Sequence, residues 1–234
     1  MDIKAPLKES QPRIPEPYAT KVFYYSQTDA LAHIARGKKW TWSEVRPDVI
    51  VGFVPTTNAM NIAGALGAYL SLYKEVHGSG SECPFPGTQG AWTAKHSDTS
   101  SYILARFEIH TALSAKTSGG VYNIANGDIT SWQKKWPGIT RWFELKGTNP
   151  APSAQSPEEF YNSHRQQWNQ MVKKYGLKKE KEEGFWFLHG CLKGEFDRYY
   201  DLTEARKSGF DETIDTVESY IKTFEKMRKA KHIP

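Results

Sequence analysis

The chain has 234 residues, 38% of them hydrophobic and 13% aromatic, which is enough apolar material for one sizeable core and too much for disorder along its length. Lys plus Arg number 31 against 26 for Asp plus Glu, so the formal charge of +5 sits on a nearly balanced surface and does not single out nucleic acid as a partner. No stretch approaches the ~20 apolar residues of a membrane span, the opening from Met1 to Pro6 lacks the apolar run of a signal peptide, and a cytoplasmic protein is expected.

Pro6, Pro12, Pro15 and Pro17 predict an extended arm over residues 1–20. From Tyr24 to Gly37 the apolar positions Leu31, Ile34 and Ala35 recur at helical spacing, and Gly37 supplies a stop. Trp40 to Pro47 alternates in the manner of a strand, and Asp48 to Phe53 follows as an apolar turn. Asn61 to Val76 reads as a helix rich in small residues, closed by His77 to Ser81 and by a rigid turn from Cys83 to Thr88. Asp98 is placed as the cap of a helix through Ile103, Phe107 and Leu113, which ends at Gly119-Gly120. A strand from Val121 to Ala125 precedes a helix capped by Thr130 or Ser131 that carries Trp132 and Trp136 on one face. Gly147 to Pro157 interrupts the pattern. Beyond it Ser156-Pro157-Glu158-Glu159 opens a helix, and further helices cover Phe160 to Tyr175, Gly184 to Leu192, and Asp211 or Thr213 towards Arg228. The expected organisation is an arm over 1–20 and one helix-rich α/β unit over 21–234 with few strands and a sub-boundary at 147–157.

No Gly-x-Gly-x-x-Gly and no Gly-x-x-x-x-Gly-Lys-Ser/Thr occurs, so neither phosphate-cradling loop is present; Gly64-Ala65-Leu66-Gly67 is half of the first pattern and lies inside a helix. The seven histidines are scattered without ligand spacing, Cys83 and Cys191 make neither a zinc site nor a disulfide framework, and no metal is expected. No Gly-x-Ser-x-Gly nucleophile turn is found.

Ordered blocks carry more. Phe23-Tyr24-Tyr25-x-Gln27-x-Asp29, Trp40-Thr41-Trp42-Ser43-x-x-Arg46-Pro47-x-x-Ile50-x-Gly52-Phe53, Met60-Asn61-Ile62, Phe85-Pro86-Gly87 and Tyr122-Asn123-Ile124-Ala125-Asn126-Gly127-Asp128 follow one another. This order resembles the C-terminal, substrate-side part of the progesterone 5β-reductase and iridoid synthase group of extended short-chain dehydrogenases/reductases. The resemblance runs from about Pro15 to the C-terminus. It implies a truncated fold of that type with an incomplete Rossmann sheet, and chemistry related to 1,4-reduction of activated enones with NADPH. It places Tyr25 where the family stabilises a developing enolate oxygen, and Arg46 to Gly52 at the wall for the nicotinamide. Gly184-Phe185-Trp186-Phe187-Leu188 and Ala59-Met60-Asn61-Ile62 resemble the two walls of the substrate pocket.

The family's glycine-rich half and its catalytic lysine have no counterpart here, and Lys21 is the nearest lysine in sequence before Tyr25. The initiator-like Met1 and the arm favour a natural chain over a trimmed domain. The function expected on these grounds is a cofactor-independent isomerase or cyclase, pericyclic chemistry included. Its substrate is a hydrophobic polyketide- or terpenoid-like molecule with an activated carbonyl or polyene. Tyr25 and Tyr24 are its catalytic residues, and Met60, Asn61, Ile62, Trp186 and Phe187 bind the substrate. Two alternatives stand beside it: an NADPH-dependent enone reductase that takes its nucleotide-binding half from another chain, and a non-catalytic small-molecule carrier. Apolar residues at Trp40, Val45, Val49, Ile50 and Val51 would line an uncovered sheet surface, which the arm, the later helices or a second copy in a homodimer must cover.

Overall fold

In the computed structural model, residues 4–56, 58–178 and 184–234 are described, so the first three residues of the arm lie outside the described part. The elements follow in the order α1 (Phe23–Ile34), β1 (Glu44–Pro47), β2 (Val49–Val51), α2 (Ile62–His77), β3 (Glu82–Pro84), α3 (Gln89–Thr93), β4 (Asp98–Ser100) and α4 (Ser101–Leu113). The second half holds β5 (Val121–Ile124), α5 (Trp132–Trp142), β6 (Lys146–Thr148), α6 (Pro157–Ser163), α7 (Arg165–Tyr175), α8 (Phe185–Leu192), α9 (Thr203–Lys207) and α10 (Thr216–Lys229). Among the described residues the six strands form three separate parallel pairs, β1 with β5, β2 with β4 and β3 with β6. Helices outnumber strands and every pairing is parallel, so the fold is the helix-rich α/β arrangement with an incomplete Rossmann sheet.

The centre is α2. Asn61 caps it by accepting the Gly64 N–H at 3.1 Å, and its run of small residues is buried from Ile62 to Leu72 except at Gly64. At Gly67 a Cβ would stand 3.0 Å from the Met227 methyl, so the absence of a side chain lets α10 pack against α2. Trp132 and Trp136 of α5, Phe160 and Tyr161 of α6, Trp168 and Met171 of α7, and Phe185 and Leu188 of α8 complete this core. A smaller core joins Ile103 and Phe107 of α4 to Tyr122 and Ile124 of β5 and to Ala205 and Phe210.

Several sequence expectations need correction. Strand structure begins at Glu44 and not at Trp40, and the apolar turn after Pro47 is the strand β2. Asp98 caps no helix: it lies in β4, and Ser100 caps α4 by accepting the Tyr102 N–H. That helix stops at Leu113, short of Gly119. The rigid turn at Cys83 contains β3, whose partner β6 includes Gly147 and Thr148. The helix expected from Phe160 to Tyr175 is interrupted at His164, and the last helix starts at Thr216 behind the cap Asp215. The caps Ser131 and Ser156 stand where expected, the latter in a full capping box with Glu159.

The arm is stitched to the body. Leu7 donates to the Tyr199 carbonyl and accepts from the Asp201 N–H, while the Glu9 carboxylate accepts the Asn123 N–H at 2.7 Å and so covers part of the outer edge of β5. No helix among the described residues is long and apolar enough to cross a membrane.

Candidate functional site

The run from Glu44 to Val51 changes neighbours in its middle. Arg46 lies opposite Asn123 of β5, Val49 lies opposite Asp98 of β4, and Asp48 stands at the break. There the Asp48 N–H donates to the Thr99 hydroxyl at 3.0 Å instead of to a strand carbonyl. Immediately after β2, Gly52 touches Ser101: a Cβ would fall 2.6 Å from the Ser101 Oγ, so only glycine lets the chain pass. The break, this crossing and the start of α2 frame a cleft of about 470 Å³. Its apolar lining includes Val49, Ile50, Phe53, Met60 and Phe187, and its polar groups belong to Tyr24, Asp48, Asn58, Asn61 and Ser101. An apolar hollow with a few polar groups is the usual form of a small-molecule site.

Asp48 is the charged group of the lining. Arg198 Nη1 donates to its two carboxylate oxygens at 2.6 and 2.5 Å, and the Val49 N–H donates to Oδ1 at 2.8 Å. Burial nevertheless raises its pKa to about 6, with Arg198 opposing the rise and the Asp98 charge adding to it. Behind the wall the Lys135 ammonium, fully buried, pairs with Asp98 and lies 4.0 Å from the Trp132 ring centre. Burial pushes the Lys135 pKa down although Asp98 pulls it up; burial would raise Asp98, but Lys135 holds it below the ordinary range. Burial, with the neighbouring Lys135, lowers His96 to about 3, so this imidazole is neutral at ordinary pH. Among the described residues no group of three or more His, Cys, Asp or Glu side chains is placed to hold a metal ion.

Of the residues singled out from sequence, Tyr24, Met60, Asn61 and Phe187 come together in the cleft. Asn61 uses its Oδ1 on the Gly64 N–H, which leaves its amide NH2 as a donor for a ligand. Ile62 is buried behind the wall in the core, and Trp186 is 60% exposed, edge-on to Phe187 and outside the lining. Tyr25 is also outside the lining. Its hydroxyl accepts the Ile14 N–H at 2.9 Å, and the Arg13 guanidinium lies 4.7 Å over its ring. Sequence reasoning missed Ser101 and the Asp48–Arg198 pair, whose members are 150 residues apart and carry no shared motif.

The resemblance raises the question of a nicotinamide dinucleotide. Pro47, Val49 and Ile50 offer a wall against which a flat ring can lie. The phosphates find no cradle in these residues: β4 runs directly into α4 at Ser100-Ser101, and the 52–61 segment between β2 and α2 contains Gly52 alone. Among the described residues a wall fits the ring and no cradle fits the phosphates.

Comparison with known proteins agrees with this geometry in part and corrects it in part. The description "PRISE-like Rossmann-fold domain" matches residues 1–234. The short chain dehydrogenase sirR of Leptosphaeria maculans is 36% identical over 98% of this chain and 60% of its own length. The short chain dehydrogenase ausT of Aspergillus calidoustus is 32% identical over 99% of this chain and 58% of its own length, and an (S)-8-oxocitronellyl enol synthase of Nepeta racemosa is 26% identical over 98% and 58%. The chain therefore spans about three fifths of the length of these curated relatives. Among solved structures, a UDP-glucose 4-epimerase of Thermotoga maritima superposes with a TM-score of 0.57 at 15% identity, covering 97% of this chain and 59% of the other, which shows a shared fold. The expectation of a cofactor-independent isomerase or cyclase is overturned: relatives above 30% identity along nearly the whole chain are short-chain dehydrogenases. The family blocks that the chain carries therefore outweigh the missing glycine-rich turn.

Proposed function

The chain belongs to the family of PRISE-like Rossmann-fold domains, and from that membership we propose that it forms the substrate side of a nicotinamide-dependent reductase acting on a small apolar compound with an activated carbonyl. The observation that carries this reading is the cleft itself, which is lined together by the apolar side chains of Phe53, Met60 and Phe187, the polar groups of Tyr24, Asn61 and Ser101, and the segment Pro47 to Ile50. A reduced nicotinamide, when bound, supplies hydride. This chain's residues do the rest: Met60, Asn61 and Phe187 line the pocket and exclude water, Ile62 backs its wall from the core and Trp186 packs on Phe187 outside it, and Tyr25, outside the lining and next to Tyr24, donates a hydrogen bond to the carbonyl oxygen of a substrate that reaches past the rim of the cleft, as negative charge grows on that oxygen. A fixed donor of this kind acts most strongly on the charged transition state, which is where it accelerates the reaction.

The phosphates are held by a nucleotide-binding unit outside these 234 residues, in the same polypeptide or another. Support comes from α1, where no residue is buried although Phe23, Tyr24, Leu31 and Ile34 are large and apolar. The test incubates the chain with a cyclic enone and NADPH, with and without the nucleotide-binding part of a relative such as sirR, and follows product mass. A gain of two hydrogens that requires NADPH and is enhanced by the added unit is expected. A product of unchanged mass, or enone binding without turnover in the completed assembly, would overturn the reading.

A further inference from the structure

The arm meets one side of α1 at two successive turns. Arg13 donates to Asp29 through both terminal nitrogens, Nη1 to Oδ2 at 2.8 Å and Nη2 to Oδ1 at 2.7 Å, and its guanidinium carbon lies 4.7 Å over the Tyr25 ring. Tyr25 and Asp29 are four residues apart on one helix, so they stand one above the other and a single planar guanidinium can engage both. The next residue of the arm, Ile14, then points its N–H at the Tyr25 oxygen at 2.9 Å.

This arrangement decides what the phenol can do. A hydroxyl carries one proton and two lone pairs, and one lone pair is spent on Ile14. Among the described residues no acceptor takes the Tyr25 proton. The hydroxyl is therefore restrained in direction with its donor function unspent, which is the state required of a group that must bond a carbonyl oxygen. An exposed ion pair contributes little to stability, so the Arg13–Asp29 contact matters for where it puts Ile14.

We propose that Arg13 is a positioning residue: by clamping Asp29 and stacking on Tyr25 it holds the Ile14 amide on the phenolic oxygen and so presents Tyr25 as a hydrogen-bond donor to the substrate carbonyl. The proposal rests on the donor role given to Tyr25 above, and the test separates the two. The arm is anchored further back at Leu7 and Glu9, so loss of Arg13 frees its last turn without detaching it.

The probe is 3-methylcyclohexenone labelled with 13C at the carbonyl, whose carbonyl resonance moves downfield when a hydrogen bond is donated to it. In the wild-type chain the bound probe should show that shift. Tyr25→Phe should remove it, and Arg13→Ala should reduce it by about half or more while adding nothing in the Tyr25→Phe background. Arg13→Lys should restore the shift only in part, because a point charge cannot grip the carboxylate and cover the ring together. Asp29→Asn, which keeps the guanidinium and weakens its grip, should repeat the loss and serves if Arg13→Ala does not fold. Exchange of the Ile14 amide with solvent should become about tenfold faster in Arg13→Ala. If Tyr25→Phe leaves the shift intact, or the probe does not bind, the donor role itself fails and the proposal with it. If Tyr25→Phe removes the shift and Arg13→Ala leaves it unchanged or enlarges it, the donor role stands and the positioning role of Arg13 is overturned.

Discussion

Asp48 is held by a cation and yet titrates high, because it is nearly buried: its side chain is 12% exposed and that of Arg198 19%. Its pKa rises from 3.8 to about 6 on folding. The folded state thus binds the extra proton between these values, and the contribution of this carboxyl to stability is complete below pH 3.8 and lost as pH rises through about 6. Asn does not titrate, so the stability of the wild type relative to Asp48→Asn should fall by about 2 kcal/mol between pH 4 and pH 7, read from urea unfolding at each pH. A flat difference across that range would show that Asp48 keeps an ordinary pKa. The Lys135–Asp98 pair makes a different demand, since neither charge reaches water. Lys135→Met should cost about 3 to 5 kcal/mol by leaving Asp98 buried and charged, and adding Asp98→Asn should recover much of the loss in thermal or urea unfolding. Neither pair was legible in the sequence. A resemblance located Tyr24, Met60, Asn61 and Phe187, because those residues lie in short contiguous blocks; the partners Arg198 and Lys135 lie far along the chain from the carboxylates they serve, and only folding brings them together.

At the scale of elements, legibility followed length and capping. The helices α2, α5 and α6 were readable because Asn61, Ser131 and Ser156 announce them, whereas β3 and β6 have three residues each and show no period. Asp98 looked like a cap because it precedes an apolar run, but its carboxylate is claimed by Lys135 and Ser100 serves the helix. Close packing between elements is equally silent in a sequence, and Gly138 is an instance. It lies inside α5, where helix propensity alone says that Gly138→Ala should stabilise by about 1 kcal/mol. A Cβ there would stand 2.7 Å from Cγ1 of Val217 in the first turn of α10, and a branched side chain cannot swing away freely. The steric term should win, with a net loss of about 1 to 3 kcal/mol in urea unfolding. Increased stability would mean that α10 can retreat without cost.

The whole molecule is unevenly covered. Between α2 and α10 the core is dense, while α1 carries Phe23, Leu31 and Ile34 at 58%, 43% and 55% exposure and has no buried residue. Trp40 and Ile50 add 45% and 41% exposed apolar side chains, and β1 and β2 each pair on one side only among the described residues. Apolar surface of this kind is costly to leave in water, and a sheet edge offers unsatisfied backbone groups to any partner. In the reading proposed above, a nucleotide-binding unit covers this face; without that unit, a second copy of the chain is the available cover. Sedimentation of the chain alone at tens of micromolar should therefore show association, and Leu31→Lys with Ile34→Lys should shift it towards monomer. The melting temperature of the separated chain should move by only ~2 °C, because neither side chain belongs to a core. Addition of the nucleotide-binding part of a relative should break the self-association by competing for the same face. A wild-type chain that stays monomeric at every concentration would show that α1 needs no cover, and association that persists in the lysine variant would place the contact elsewhere.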